Sequence, residues 1–122
     1  MRFKSSGFTL IEILVVMVIF TLGASIVFPA IVRSYDKVCS HAEERRLTDI
    51  LNEVKMRAFF RQTAYTLVGN GRNLKIKEKE IKINFKYIEF SNFALVFNGN
   101  GFPNKSSIEY KVQGKEKKIE VL

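Results

Sequence analysis

The chain has 122 residues, the length of one domain, with little room for a second. Its 20 Lys and Arg exceed its 12 Asp and Glu, so the formal net charge is +8 at pH 7. The 11 Phe, 4 Tyr and only 2 Pro argue against disorder, and the single cysteine excludes a disulfide scaffold. A large enzyme with a roomy interior is also excluded by the length.

The N-terminal part of the chain separates charged from apolar residues. A short basic leader with Arg2 and Lys4 precedes a long apolar run, and no ionisable side chain occurs from Ile13 to Val32. A helix of about 20 residues rises about 30 Å, which is enough to cross the hydrocarbon core of a bilayer. The positive flank predicts that the N-terminus stays in the cytoplasm and that the rest of the chain lies on the far side.

One acidic residue, Glu12, lies within the start of this apolar run. A secretory signal peptide would be cleaved after the run, near Gly23–Ser25, and a plain single-pass anchor would keep it. Neither needs Glu12, because a carboxylate costs up to about 3 kcal/mol at the bilayer centre and less near the interface. Glu12 therefore either has a functional partner or lies at the headgroup level, and the charge alone leaves both interpretations open.

The residues around Glu12 form a specific motif. The segment from Gly7 to Glu12, GFTLIE, follows the basic leader and opens the apolar run. It resembles the type IV prepilin signal, which occurs in pilins and in the pseudopilins of secretion and DNA-uptake machines. The resemblance implies that a prepilin peptidase cleaves between Gly7 and Phe8 and methylates the new Phe8 amine. It also implies that Glu12, one helical turn from Phe8, neutralises the Phe8 amine of a neighbouring subunit during assembly.

The resemblance divides the chain into a leader (residues 1–7), a transmembrane and filament-core helix (residues 8–32) and a head (residues 33–122) outside the cytoplasm. The head includes the second half of the helix. Within the helix, Gly23 and Pro29 predict a kink, since proline removes an N–H group and crowds the preceding turn. Both residue types are also tolerated in membrane helices without any consequence, and this alternative is stronger for Gly23.

Residues 33–61 predict a continuation of the same helix, because no Gly or Pro occurs between Pro29 and Gly69. One face of this second half carries apolar residues at helical spacing, and we expect it to be buried. The residues of this face are Leu47, Ile50, Leu51, Val54 and Ala58.

Beyond Arg61 the pattern alternates and predicts five or six short antiparallel strands that pack on the helix. Strands are predicted at 63–68, 74–77 and 93–97, and alternating segments at 81–87, 108–112 and 119–121. Turns are predicted at Gly69–Gly71 and Asn98–Gly101, and a hairpin connection over Gln113–Lys117. The predicted fold class is α+β and pilin-like, a long N-terminal helix packed on a small antiparallel sheet.

The head is loosely similar to the small minor pseudopilins of the H type, in the order of its elements and in the stretch Leu95–Gly101 (LVFNGNG). Major pilins usually close their C-terminal region with a disulfide, which Cys39 alone cannot form. Major pseudopilins of the G type use an acidic calcium loop, and the late acids Glu109, Glu116 and Glu120 are not clustered. Both absences favour a minor, low-copy subunit.

No catalytic constellation occurs in the sequence. Cys39 and His41 are the only cysteine and histidine, and two residues apart on a helix they do not share a face. A metal site needs more ligands, and no carboxylate pair stands out as a general acid and base. We therefore expect no enzyme activity, no cofactor and no metal, while an intermolecular disulfide through Cys39 stays open.

Lysines occur in two regions of the head, one from Lys75 to Lys86 and one at Lys115, Lys117 and Lys118. They form either a solvated strand face that prevents edge pairing or a surface that contacts DNA, for which clustered cations suffice. Glutamates between these lysines weaken the second interpretation.

We expect a minor pseudopilin or pilin-like subunit of a type II secretion-like or type IV pilus-like filament, held in the bacterial inner membrane. Its expected partners are the prepilin peptidase, other pilins or pseudopilins through the N-terminal helix, and the membrane. One alternative is a minor pilin of a DNA-uptake (competence) system that contacts DNA through its basic head. The other is a single-pass membrane-anchored binding protein with an intact N-terminus.

Overall fold

The computed structural model describes residues 7–121, so residues 1–6 of the predicted leader and Leu122 lie outside it. A single helix precedes a six-stranded sheet, which makes the fold α+β and pilin-like. The chain divides between Lys37 and Val38 into two compact units. The first holds the N-terminal part of the helix, and the second holds its remainder and the sheet.

The helix, α1, spans Leu10–Arg61 and ends in a Schellman motif. Gln62 adopts a left-handed φ of 51°, and its N–H donates to the Phe59 carbonyl at 3.3 Å. The Thr63 N–H donates to the Ala58 carbonyl at 3.2 Å. These bonds satisfy carbonyls that would otherwise lack a partner at the helix end. The predicted end of the helix is therefore confirmed.

The sheet is formed by β1 (Tyr65–Gly71), β2 (Asn73–Ile76), β3 (Ile81–Asn84), β4 (Ile88–Phe97), β5 (Ser107–Val112) and β6 (Lys115–Glu120). Their order is β3-β2-β1-β4-β5-β6, and every neighbouring pair is antiparallel. A 3₁₀ turn joins β2 to β3. The expectation of five or six short antiparallel strands is confirmed, and β3 and β6 are the two edges.

Two hairpin turns overlap the predicted segments but have other bounds. The β1–β2 register pairs Asn70 with Asn73, so the turn consists of Gly71 and Arg72 and not of Gly69–Gly71. The β5–β6 turn consists of Gln113 and Gly114 alone and not of Gln113–Lys117. Its two residues have φ of 50° and 76°, as in the type I′ turns whose twist fits a two-residue hairpin.

The alternating segment 81–87 is not one strand, and here the prediction is wrong. β3 ends at Asn84, and the Glu43 carboxylate of α1 accepts the N–H groups of Lys86 and Tyr87 at 2.8 and 2.7 Å. These bonds replace strand pairing and end the alternation before β4. β4 itself is 10 residues long, so the predicted strand at 93–97 is only its second half.

The core lies between the second half of α1 and one face of the sheet. The predicted helix face is confirmed, since its residues Leu47, Leu51, Val54 and Ala58 are buried and Ile50 packs against them. The sheet contributes strands with alternating burial, and its most buried side chains are Leu67, Leu74, Ile88, Leu95 and Phe97. The part of the chain after Arg61 is too small to bury enough apolar surface alone, so the helix completes the core.

The predicted Gly-rich turn after β4 is also present, and it lies against the end of α1. The Asn98 side-chain oxygen accepts the N–H groups of Asn100 and Phe102 at 3.0 and 2.9 Å. At Gly99 a Cβ would lie 2.8 Å from the Gln62 carbonyl oxygen. Any side chain at this position would therefore push the turn away from the helix.

We expect Leu47→Ala to destabilise the second unit by about 2–5 kcal/mol, because Leu47 is fully buried and its truncation leaves a cavity. Urea unfolding of the full-length protein in detergent, followed by tyrosine fluorescence, measures this. Met56→Ala, on the exposed side of the same helix, should change the stability by less than about 0.5 kcal/mol. Equal effects of the two substitutions would mean that α1 is not part of this core.

Candidate functional site

The predicted cleavage position lies outside the helix. Gly7, Phe8 and Thr9 are exposed and have no regular secondary structure, and α1 begins at Leu10 rather than at the predicted Phe8. Exposed, irregular chain is where proteases cut most readily. A Cβ at Gly7 would meet nothing within 4 Å. The peptide bond between Gly7 and Phe8 is thus accessible from several sides.

Thr9 and Glu12 form a reciprocal capping box at the start of α1. The Glu12 N–H donates to the Thr9 hydroxyl oxygen, and the Thr9 N–H donates to the Glu12 carboxylate, both at 3.4 Å. A carboxylate in the first helical turn also interacts favourably with the helix dipole. Both side-chain bonds are long for N–H···O bonds, so the Glu12 carboxylate is held loosely and keeps capacity for a stronger donor.

The part of α1 that follows Glu12, residues 13–32, is apolar on all sides. It belongs to the one helix among residues 7–121 that is long and apolar enough to cross a membrane, and none of the most apolar window of that helix is buried. Its two hydroxyls are satisfied within the helix: Thr21 donates to the Met17 carbonyl, and Ser25 donates to the Leu22 carbonyl at 2.7 Å. Internal hydrogen bonding of this kind is what a lipid environment requires.

Gly23 and Pro29 do not interrupt the helix, which continues through both. Pro29 has no N–H to donate to the Ser25 carbonyl, and a kink at this point stays a prediction. Gly23 lies in an apolar depression of about 460 Å³ on the helix surface. A Cβ at Gly23 would meet nothing within 4 Å, so the glycine leaves a shallow notch between larger side chains.

In the second unit, the three lysines considered for DNA contact do not share one face of β6. Side chains alternate along a strand, so Lys115 and Lys117 lie on the α1 side of the sheet and Lys118 on the other side. The Lys117 Nζ atom is 2.6 Å from the Glu44 carboxylate of α1. Lys118 is the direct cross-strand neighbour of Glu109. DNA contact through these residues stays a prediction, and two of the three lysines face carboxylates.

The Glu44–Lys117 pair links α1 to the last strand. Its hydrogen bond raises the pKa of the Lys117 ammonium above the ordinary value of 10.5, while burial raises the pKa of the neighbouring Tyr110 phenol. Since the folded-state pKa of Lys117 is the higher one, this contribution to stability is present below pH 10.5 and is lost as the pH rises through the raised value.

Cys39 and His41 lie on α1 at the start of the second unit. Cys39 is half-buried and forms no disulfide, and His41 Nδ1 lies 3.7 Å from the Glu44 carboxylate. Among the described residues, no group of three His, Cys, Asp or Glu side chains converges on a position for a metal ion.

Three functional contacts were not predicted from the sequence. The Thr9–Glu12 contact could have been found from the sequence, because Thr and Glu three residues apart before an apolar run are typical of a capping box. No sequence pattern indicates the contacts of Glu43 and Glu44, since their partners lie more than 40 residues further along the chain.

Residues 2–28 match the family model described as the prokaryotic N-terminal methylation motif. No curated protein and no solved structure matches the chain significantly. The match supports a type IV prepilin or pseudopilin signal, and the long helix with its antiparallel sheet fits the pilin-like fold. Together they support a pilin-like or pseudopilin-like structural subunit that is processed by a prepilin peptidase, anchored in the inner membrane and assembled with other pilins.

We expect Thr9→Ala to loosen the first turn of α1, because the substitution removes the hydroxyl that shares the Glu12 N–H with the Thr9 carbonyl. The loss of such a cap costs about 0.5–2 kcal/mol. Amide hydrogen exchange of the full-length protein in detergent micelles should become faster in this turn. Thr48→Ala, which removes a hydroxyl bonded to the Glu44 carbonyl in mid-helix, should leave the exchange there unchanged. Unchanged exchange in Thr9→Ala would show that the capping box does not hold the turn.

Proposed function

We propose that this chain is a minor pseudopilin, processed between Gly7 and Phe8 and assembled into the filament of a type II secretion-like or related machine. The observation that carries the proposal is the position of Glu12. It lies within the matched methylation motif, in the first turn of a helix whose following residues are apolar and unburied. An acid at this place has no use in a plain anchor.

In this proposal the chain has three parts with different fates. Residues 1–7 are removed on the cytoplasmic side, as the basic charge of the leader and the exposed Gly7 favour. Residues 8–32 stay in the membrane and later form the filament core. Residues 33–122 remain outside the cytoplasm as the head. The prepilin peptidase then methylates the Phe8 amine, which keeps its positive charge.

In this proposal Glu12 pairs with the Phe8 amine of a neighbouring subunit. Cleavage leaves a cationic amine beside the apolar phase, and Glu12 places a carboxylate at almost the same depth. Each charge alone is costly in lipid, whereas a close pair is much less so. The Glu12 bond to the Thr9 N–H is 3.4 Å long, while an ammonium–carboxylate bond is typically about 2.7–2.9 Å. When the Glu12 carboxylate exchanges the Thr9 N–H for the Phe8 amine of a neighbouring subunit, it gains a stronger bond. This exchange therefore favours assembly in one axial register.

The apolar helix offers a surface for neighbouring helices. Close packing in the absence of water depends on van der Waals contact, and small residues allow backbones to approach. The notch at Gly23 provides such a position. In this proposal a bulkier side chain from a neighbouring subunit fills the notch in the filament. Pro29 provides the point at which the helix can bend.

A minor subunit fits the composition better than a major one, because neither a C-terminal disulfide nor a cluster of late acidic residues occurs. We favour a secretion-like machine over DNA uptake, because Lys117 and Lys118 already face the carboxylates of Glu44 and Glu109. A single-pass binding protein is the remaining alternative, and it differs in keeping its N-terminus.

We expect co-expression with a prepilin peptidase to remove residues 1–7 and to add a methyl group to Phe8. Intact mass spectrometry of the purified protein measures both. Gly7→Leu should abolish the cleavage without disturbing the fold, because a side chain at Gly7 meets nothing within 4 Å. An unprocessed wild-type chain would contradict the proposed processing and favour a single-pass anchor.

We expect Glu12→Ala to insert into the membrane normally and to reach sheared filaments at less than about a tenth of the wild-type level, since each unpaired charge in lipid costs more than 1.4 kcal/mol. Glu12→Gln should fail similarly, because it keeps the shape but not the charge. The matched control is Glu116→Ala, which removes an exposed carboxylate from the second unit. Native filament levels of Glu12→Ala would exclude the charge-pairing role.

A further inference from the structure

The β3 edge (Ile81–Asn84) leaves unpaired backbone groups at one side of the sheet. The Phe85 N–H donates to the Arg72 carbonyl at 2.8 Å, in the same register that joins β2 to β3. Hydrogen-bonded pairs alternate along an antiparallel ladder, so Ile81 and Ile83 bond to β2. The N–H and C=O groups of Lys82 and Asn84 therefore point away from the sheet, and no described strand pairs with them.

An apolar groove of about 190 Å³ runs beside this edge, between α1 and the β2–β3 hairpin. Its apolar walls come from Ile50 and Val54 of α1 and from Ile76, Ile81 and Ile83 of the hairpin. Ile83 is half-buried and Ile81 is 43% exposed, so the core continues to the surface here. An apolar side chain placed in this groove would extend the core beyond β3.

The opposite face of the same edge is positively charged. Lys75 and Lys82 are direct cross-strand neighbours, an arrangement that is destabilising for like charges. Glu80 lines the same shallow depression. Nevertheless, neither lysine forms an ion pair within residues 7–121. An acidic side chain that reached this face would relieve the repulsion between the two lysines.

The other edge of the sheet differs in each of these respects. Five of the six β6 residues are charged, which is typical of an edge that is protected against pairing. Only one of the four β3 residues is charged. The β3 edge thus combines free backbone groups, an apolar groove and two lysines that are unpaired among the described residues, whereas Lys117 and Lys118 of β6 already face Glu44 and Glu109.

We propose that the β3 edge binds an extended segment of a partner protein by strand addition, and that this segment alternates apolar and acidic side chains. The backbone of the segment pairs with Lys82 and Asn84. Its apolar side chains enter the groove, and its acidic side chains face Lys75 and Lys82. Strand addition draws affinity from main-chain bonds and specificity from alternate side chains. The proposal concerns the second unit alone and does not rest on the proposed function.

The test uses the full-length, ¹⁵N-labelled protein in nanodiscs and a capped synthetic peptide, Glu-Ile-Glu-Val-Glu-Ile. We expect saturable binding, with the largest chemical-shift changes in β3 and at the groove. A peptide of the same composition in two blocks, Ile-Val-Ile-Glu-Glu-Glu, should bind at least about tenfold more weakly, because it cannot present both faces. Equal binding of the two peptides, or shift changes at β6, would overturn the proposal.

Two substitutions separate the backbone contribution from the charge. Asn84→Pro removes an outward N–H and none of the β2–β3 bonds, and it should weaken binding about three- to tenfold relative to Asn84→Thr. Lys82→Glu should weaken binding about tenfold or more, because it repels the acidic segment. Wild-type affinity in both variants, with the remaining spectrum unchanged, would exclude strand addition. Self-association that Asn84→Pro abolishes would assign the edge to a second copy and overturn the heterologous partner.

Discussion

One helix meets two different environments, and the rest of the structure depends on this division. From Ile13 to Val32 the helix has no ionisable side chain and its large apolar side chains are exposed, whereas from Leu47 to Ala58 a single face is buried beneath the sheet. The first part needs only continuous hydrophobicity, but the second needs apolar residues at the helical period. The strands after Arg61 cannot bury enough apolar surface by themselves, so they need the second half of the helix as one wall of the core. The same helix carries the apolar N-terminal segment.

The elements predicted correctly from the sequence are those set by local spacing. α1, its buried face and the alternation of β5 belong to this class, since neighbouring residues determine them. The region between β3 and β4 does not, because the Glu43 carboxylate replaces strand pairing there from a distant part of the chain. The hairpin connection that begins at Gln113 was predicted too long, since glutamine carries no preference for the positive φ that it adopts in the two-residue turn.

At the candidate site, too, only the residues of a local sequence pattern could be predicted. Glu12 was recognised because its position follows from a short motif and from the cost of a charge among apolar residues. Thr9 belongs to the same local pattern, and together they explain how Glu12 is satisfied before any neighbour is present. The lysines of β6 are different. Their spacing indicates a cluster, but strand alternation separates Lys117 from Lys118, and Glu44 lies beside one of them only because the chain folds back onto α1.

The two edges of the sheet cannot be distinguished before the strand order is known. In the sequence, β3 is an ordinary strand between two others, and only the order β3-β2-β1-β4-β5-β6 places it at an edge. Once there, its isoleucines continue the core into solvent, and its single lysine protects it poorly. The apolar half of α1 and the β3 edge share no side chain. The proposed helix contacts and the proposed strand addition therefore use different residues of the chain.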